Sequence, residues 1–72
     1  MYLQINSEKL RELRLKKGLT CYSLAKKVGV GLKSIWRYEK NISKTTDRFR
    51  AKAIADALGC KVSDIFSEIE KE

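Results

Sequence analysis

Two of the chain's four glycines, Gly29 and Gly31, stand on either side of Val30, between two short runs that each pattern as helix. A link of that length leaves room only for a sharp turn between two helices. The run before it is capped by Thr20 and carries an apolar stripe of Cys21, Leu24, Ala25 and Val28. The run after it opens at Val30 or Gly31 and reaches about Lys40. There is no proline in the chain and Leu, Ala, Lys and Glu are plentiful, which favours helix throughout.

A short helix, a turn of three or four residues containing glycine, and a second short helix is the spacing of a helix-turn-helix. The surrounding sequence is punctuated in the same way. Asn6 or Ser7 starts a first helix running to about Lys17, with Glu8 in its first turn and Gly18 at its end. Residues 41–46, "NISKTT", read as a polar loop. Thr46 caps a fourth helix with Asp47 in its first turn, Ala53, Ile54, Ala57 and Leu58 on its buried face, and Gly59 as its stop. Val62, Ile65, Phe66 and Ile69 recur at helical spacing and predict a fifth helix over 62–70. The opening "MYLQI" suits a short extended strand or arm, and no partner strand for it is recognisable.

With 72 residues the chain makes one small domain, 1–72, with residues 1–6 as a possible arm. No apolar run approaches the roughly 18–20 residues of a membrane span, and the N-terminus lacks the layout of a signal peptide. A cytoplasmic protein is expected, with Cys21 and Cys60 as reduced thiols rather than a disulfide. There is no histidine and no CxxC spacing, so no metal site is expected. Nor is there a nucleophile–base motif or a phosphate-cradling glycine loop. These absences argue against an enzyme and against a cofactor or small-molecule substrate.

Charge placement is more informative than its total. The net charge is +7. Between Glu12 and Glu39 no acid occurs, while Arg14, Lys16, Lys17, Lys26, Lys27, Lys33 and Arg37 do. The tail runs the other way, with Asp64, Glu68, Glu70 and Glu72 against Lys71. One basic face on a small domain fits a polyanion, most commonly nucleic acid; a merely solvated lysine-rich surface is the plainer alternative.

Periodicity leaves two registers open for the helix after Gly31. In one, Leu32, Ile35, Trp36 and Glu39 turn inward, which buries the lone tryptophan beside a carboxylate. In the other, Gly31, Ser34, Ile35 and Tyr38 turn inward, and Lys33, Trp36, Arg37 and Lys40 point out.

The stretch "GLTCYSLAKKVGVGLKSIWRYEKN" resembles the helix-turn-helix of the Cro/CI-type (XRE) phage-repressor family, in Leu19-Thr20, Leu24-Ala25, Val28-Gly29-Val30, Ile35 and Glu39. "LRELRLKKG" looks like that family's first helix and "AIADALGCKVSDIF" like its fourth and fifth. The resemblance covers about residues 7–66. It implies an all-α, compact five-helix, lambda-repressor-like DNA-binding domain, and it selects the second register.

By position, the resemblance implies base-reading roles for Leu32, Lys33, Trp36 and Arg37 on helix 3. Lys33 and Arg37 would meet guanine O6 and N7, and Leu32 a thymine methyl or the core edge. Trp36 stands where the family usually has a smaller or polar residue. Thr20, Cys21, Lys40, Asn41, Ser43 and Lys44 fall at phosphate-contacting positions; Cys21 replaces a common glutamine and is a poorer donor. Arg14 and Glu39 match a structural ion pair between helices 1 and 3. The implied protein is a transcriptional regulator, a repressor, that binds a double-stranded operator as a homodimer, with Phe66 and Ile69 as candidate interface or, equally, as residues that only close the monomer core. An antitoxin or accessory protein-interaction module of the same fold is the alternative.

Overall fold

In the computed structural model, which describes residues 2–68, the chain alternates three very short strands with five helices. They are β1 (Tyr2–Ile5), α1 (Ser7–Lys16), α2 (Cys21–Val28), α3 (Leu32–Glu39), β2 (Thr45–Asp47), α4 (Arg48–Leu58), α5 (Val62–Ile65) and β3 (Phe66–Glu68).

Each helix contributes one of the five largest fully buried side chains: Leu10 from α1, Leu24 from α2, Ile35 from α3, Ile54 from α4 and Ile65 from α5. Burying a side chain of that size is worth about 1.5–3 kcal/mol. The core therefore holds all five helices at once rather than pairing them.

Helix starts use side chains where one is available. Asn6 accepts from the Lys9 N–H at 3.1 Å, Thr20 from Ser23 at 3.0 Å and Asp47 from Arg50 at 2.7 Å. Helix ends share one bond. In the first four helices the N–H just past a left-handed residue reaches back five positions, in Leu19 to Arg14, Val30 to Ala25, Ile42 to Arg37 and Cys60 to Ala55, at 2.9–3.1 Å. This closure needs a left-handed residue. At the helix 2–3 corner it is Gly29, φ 89°. A Cβ there would meet no atom within 4 Å, so the backbone angle, not space, demands glycine. After α3 the same position is filled by Asn41, φ 61°, the side chain that best tolerates it after glycine.

The all-α expectation is corrected by a three-stranded sheet of order β2-β1-β3, antiparallel throughout. Tyr2–Gln4 pair with Thr45–Asp47, and Leu3–Ile5 with Phe66–Glu68. The opening residues thus do have partner strands, and residues 41–46 are not wholly loop. Two boundaries move with the sheet. Asp47, not Thr46, caps α4; Thr46 is buried, its hydroxyl 3.2 Å from that of Tyr38. The fifth helix stops at Ile65 instead of reaching 70, because Phe66 leaves helical geometry to pair with Ile5. On α4 the fully buried face is Ala51, Ile54, Ala55 and Leu58, while Ala53 and Ala57 are only half-buried.

Phe66 is 3% exposed within the monomer's own core. Its ring packs there, as its alternative role of closing the monomer core requires. Ile69, its expected companion, lies outside the described residues.

Candidate nucleic-acid interface

α3 buries two of its apolar side chains, and the one acid it turns inward, Glu39, is buried only in a pair with Arg14. Ile35 and Tyr38 point inward, at 0% and 4% exposure. Leu32 and Trp36 are each 47% exposed, and Lys33, Arg37 and Lys40 are exposed. Lys33, Trp36, Arg37 and Lys40 follow the i, i+3, i+4, i+7 spacing, so three cations and the indole form one outward stripe. The register that buries Trp36 is not the one adopted.

Glu39 explains why this register is stable. It lies on the inward side of the last turn, and Arg14 of α1 meets it with two nitrogens, Nε to Oε2 at 2.5 Å and Nη2 to Oε1 at 3.0 Å. The third arm of the guanidinium, Nη1, donates to the Leu19 carbonyl at 2.7 Å. Both side chains are at most 10% exposed. The bond to Glu39 raises the Arg14 pKa against the opposing effect of burial. Arg14 is thereby removed from the outward basic surface and fixes α3 against α1 and the α1–α2 link.

The start of α2 is arranged around Thr20. Its hydroxyl accepts from the Ser23 N–H and donates to the Ser23 hydroxyl, each at 3.0 Å. The N–H groups of Cys21 and Tyr22 precede the helical ladder and carry the positive end of the helix dipole. Cys21 is half-buried. Burial pushes its thiol pKa up, and the negative charge of Glu39 pushes it further. Cys21 is therefore a neutral thiol at ordinary pH. At α3, the N-cap Gly31 offers no side chain, so the first N–H groups of that helix are likewise free of a side-chain cap.

The segment after α3 brings further polar groups to the end of the same stripe. Lys40, Asn41 and Lys44 are exposed and Ser43 is half-buried. The Ser43 N–H donates to the Arg37 carbonyl at 3.2 Å, and the Lys44 carbonyl accepts from Ile5 at 2.9 Å, which ties the segment to β1.

One contact on α2, between Tyr22 and Lys26, escaped the sequence reading. Tyr22 is 60% exposed, with Lys26 Nζ 5.7 Å from its ring centroid. Their i, i+4 spacing is a signal that would have found them. Ile42, in the segment after α3 and by spacing a possible continuation of its inward face, is exposed. Among the described residues no helix is long and apolar enough to cross a membrane.

Comparison with known proteins agrees with this fold. A helix-turn-helix family model matches residues 10–65. A protein of Pyrococcus furiosus, PF1851, described as an HTH-type transcriptional regulatory protein, is 40% identical over 73 aligned positions. The match takes in 97% of this chain and 23% of that protein, so the chain spans about a quarter of its relative's length. Among solved structures, the biofilm master regulator SinR in complex with DNA superposes with a TM-score of 0.78 at 21% identity, over 81% of this chain and 95% of the chain in that structure. The SinR/SinI complex gives 0.75 at 21% identity, over 78% of this chain and 54% of that one. A hydroxyethylphosphonate dioxygenase variant gives 0.74 at 20% identity, over 94% of this chain but 14% of the enzyme. At these identities the structural matches speak for the fold alone.

Proposed function

The chain belongs to the helix-turn-helix family of Cro/CI (XRE) type, and from that premise we propose that it is a sequence-specific, double-stranded DNA-binding repressor. It acts in the cytoplasm as a homodimer on a two-fold operator, with recognition helices about 34 Å apart. The observation that carries this reading is the outward stripe Lys33, Trp36, Arg37 and Lys40 on a helix whose other face is locked into the core.

In this reading α3 enters the major groove. Lys33 and Arg37 donate to guanine O6 and N7, Leu32 meets a thymine methyl and Trp36 packs along the groove wall. Thr20, Cys21, Lys40, Asn41, Ser43 and Lys44 hold phosphates. The Thr20 and Cys21 contacts come from the start of α2, where backbone N–H groups suit an anion better than the occupied hydroxyl or the neutral thiol does. Arg14 and Glu39 serve only to position α3. No catalytic step and no cofactor enters the reading.

Selection from a pool of randomised duplexes tests it. The wild-type chain enriches a two-fold sequence. Lys33→Ala and Arg37→Ala each relax one base position at a cost of about 1–3 kcal/mol. Variants that keep the wild-type ratio of selected to random duplex contradict the base-reading roles. A second reading, an antitoxin or accessory module that works by binding protein, is favoured by one feature, the exposed Phe49. A protein-interaction module that has lost DNA binding predicts no enrichment of any duplex, whereas an antitoxin or accessory protein binds a protein partner as well as DNA.

A further inference from the structure

Three residues of α3 carry side-chain oxygen, Ser34, Tyr38 and Glu39, and the fold turns all three away from the outward stripe. The Glu39 carboxylate is held by two nitrogens of Arg14, with its side chain 6% exposed. The Tyr38 hydroxyl is buried, 3.2 Å from that of Thr46. Ser34 is half-buried and lines a groove with Phe49, Arg50 and Ala53 of α4. What remains outward is Leu32, Lys33, Trp36 and Arg37, with Lys40 at the C-cap. Lysine, arginine and the indole N–H donate hydrogen bonds and accept none, and leucine does neither. The outward face of α3 therefore holds donors and apolar surface, and no side-chain acceptor.

That composition limits which base edges the helix can read. In the major groove guanine shows two acceptors, N7 and O6, which a guanidinium or an ammonium satisfies together. Thymine shows a methyl group, which suits an apolar side chain. Adenine sets the N6 donor beside its N7 acceptor, and cytosine shows the N4 donor alone. Reading either of these needs an acceptor from the protein, and a cation facing the amine leaves two donors opposed. Exposed oxygens do occur on Tyr22 and Asn41. They lie outside α3, on the two segments that the proposed function gives to phosphates.

We propose that α3 is a donor-only reader of DNA. Lys33 and Arg37 select guanine, Leu32 and Trp36 select thymine by its methyl group, and adenine and cytosine enter only as the unread partners in their pairs. The inference rests on the proposed function, in which α3 lies in the major groove, and names the chemistry that the operator presents there.

Base analogues test it atom by atom. The wild-type chain selects a duplex from a randomised pool, and analogues then replace single bases of that duplex. 7-Deazaguanine lacks N7, uracil lacks the thymine methyl, and 7-deazaadenine lacks the N7 that a two-bond contact to adenine needs. At the contacted positions 7-deazaguanine and uracil each weaken binding about fivefold. 7-Deazaadenine changes it by less than about twofold at every position. Lys33→Gln sets an acceptor beside a donor at an exposed site, so it keeps the wild-type thermal midpoint and shifts selection at one position from guanine to adenine. A selected duplex that loses about fivefold or more on 7-deazaadenine, that tolerates both 7-deazaguanine and uracil throughout, or whose guanine survives Lys33→Gln overturns this inference alone. A wild-type chain that enriches no duplex overturns the proposed function and this inference with it.

Discussion

Arg14 holds Glu39 across 25 positions of sequence with two parallel hydrogen bonds, and a third bond from the same guanidinium reaches the Leu19 carbonyl. The pair is nearly dry, so its two halves depend on each other. Glu39→Gln leaves the guanidinium buried without its charge partner and costs about 3–5 kcal/mol. For a domain of this size each kcal/mol lowers Tm by about 4–8 °C. Replacing both partners with apolar residues of similar volume recovers much of the loss. Urea denaturation of the single and double variants checks this; a Glu39→Gln variant as stable as wild type contradicts it.

The helix-turn-helix was legible in the sequence because its signals are local. Gly29 marks the corner, Thr20 the cap and Glu39 the partner of Arg14. The sheet was not legible for the opposite reason. Each partner strand of β1 is three residues long, too short to show alternation. Thr45-Thr46-Asp47 reads as polar loop and Phe66 continues the helical period of Val62 and Ile65. What ends α5 is pairing with Ile5, some sixty residues earlier in the chain. The burial of Phe66 was hidden for the same reason, since an apolar residue at the end of a supposed helix looks free until the sheet covers it. Asn41 was read only as a polar contact, although its left-handed backbone closes α3.

Trp36 and Ile35 are neighbours with opposite roles. Trp36→Ala removes a half-exposed ring and changes stability by no more than about 0.5 kcal/mol. Ile35→Ala empties a fully buried site and costs about 2–5 kcal/mol. Chemical denaturation separates the two. The fluorescence of Trp36 is accessible to an aqueous quencher in the free protein and becomes protected when duplex is added. A tryptophan already protected without DNA contradicts the outward register.

Both cysteines hold their protons more tightly in the fold than out of it. Burial pushes the Cys60 thiol up, helped by Asp64, as burial and Glu39 push up Cys21. The neutral thiol is the form the fold favours, so this contribution is fully present at neutral pH. It is lost as pH rises past the ordinary thiol range through the raised folded values. Urea midpoints therefore fall between about pH 8 and pH 10, and fall less in the Cys21→Ala variant. At fixed pH, iodoacetamide labels both thiols more slowly in the native chain than in the unfolded one. Faster labelling of native Cys21 contradicts the account.

The proposed function has the acid-free stretch between Glu12 and Glu39 and the outward stripe of α3 bind DNA by neutralising phosphates. Titration of duplex with the chain at several salt concentrations tests it most directly. The account predicts that log K falls linearly with log salt, with a slope of about −0.9 per phosphate neutralised. Lys44→Ala shallows that slope by about one and affects all sequences alike. No binding at about 50 mM salt, or an affinity indifferent to salt, contradicts the central claim.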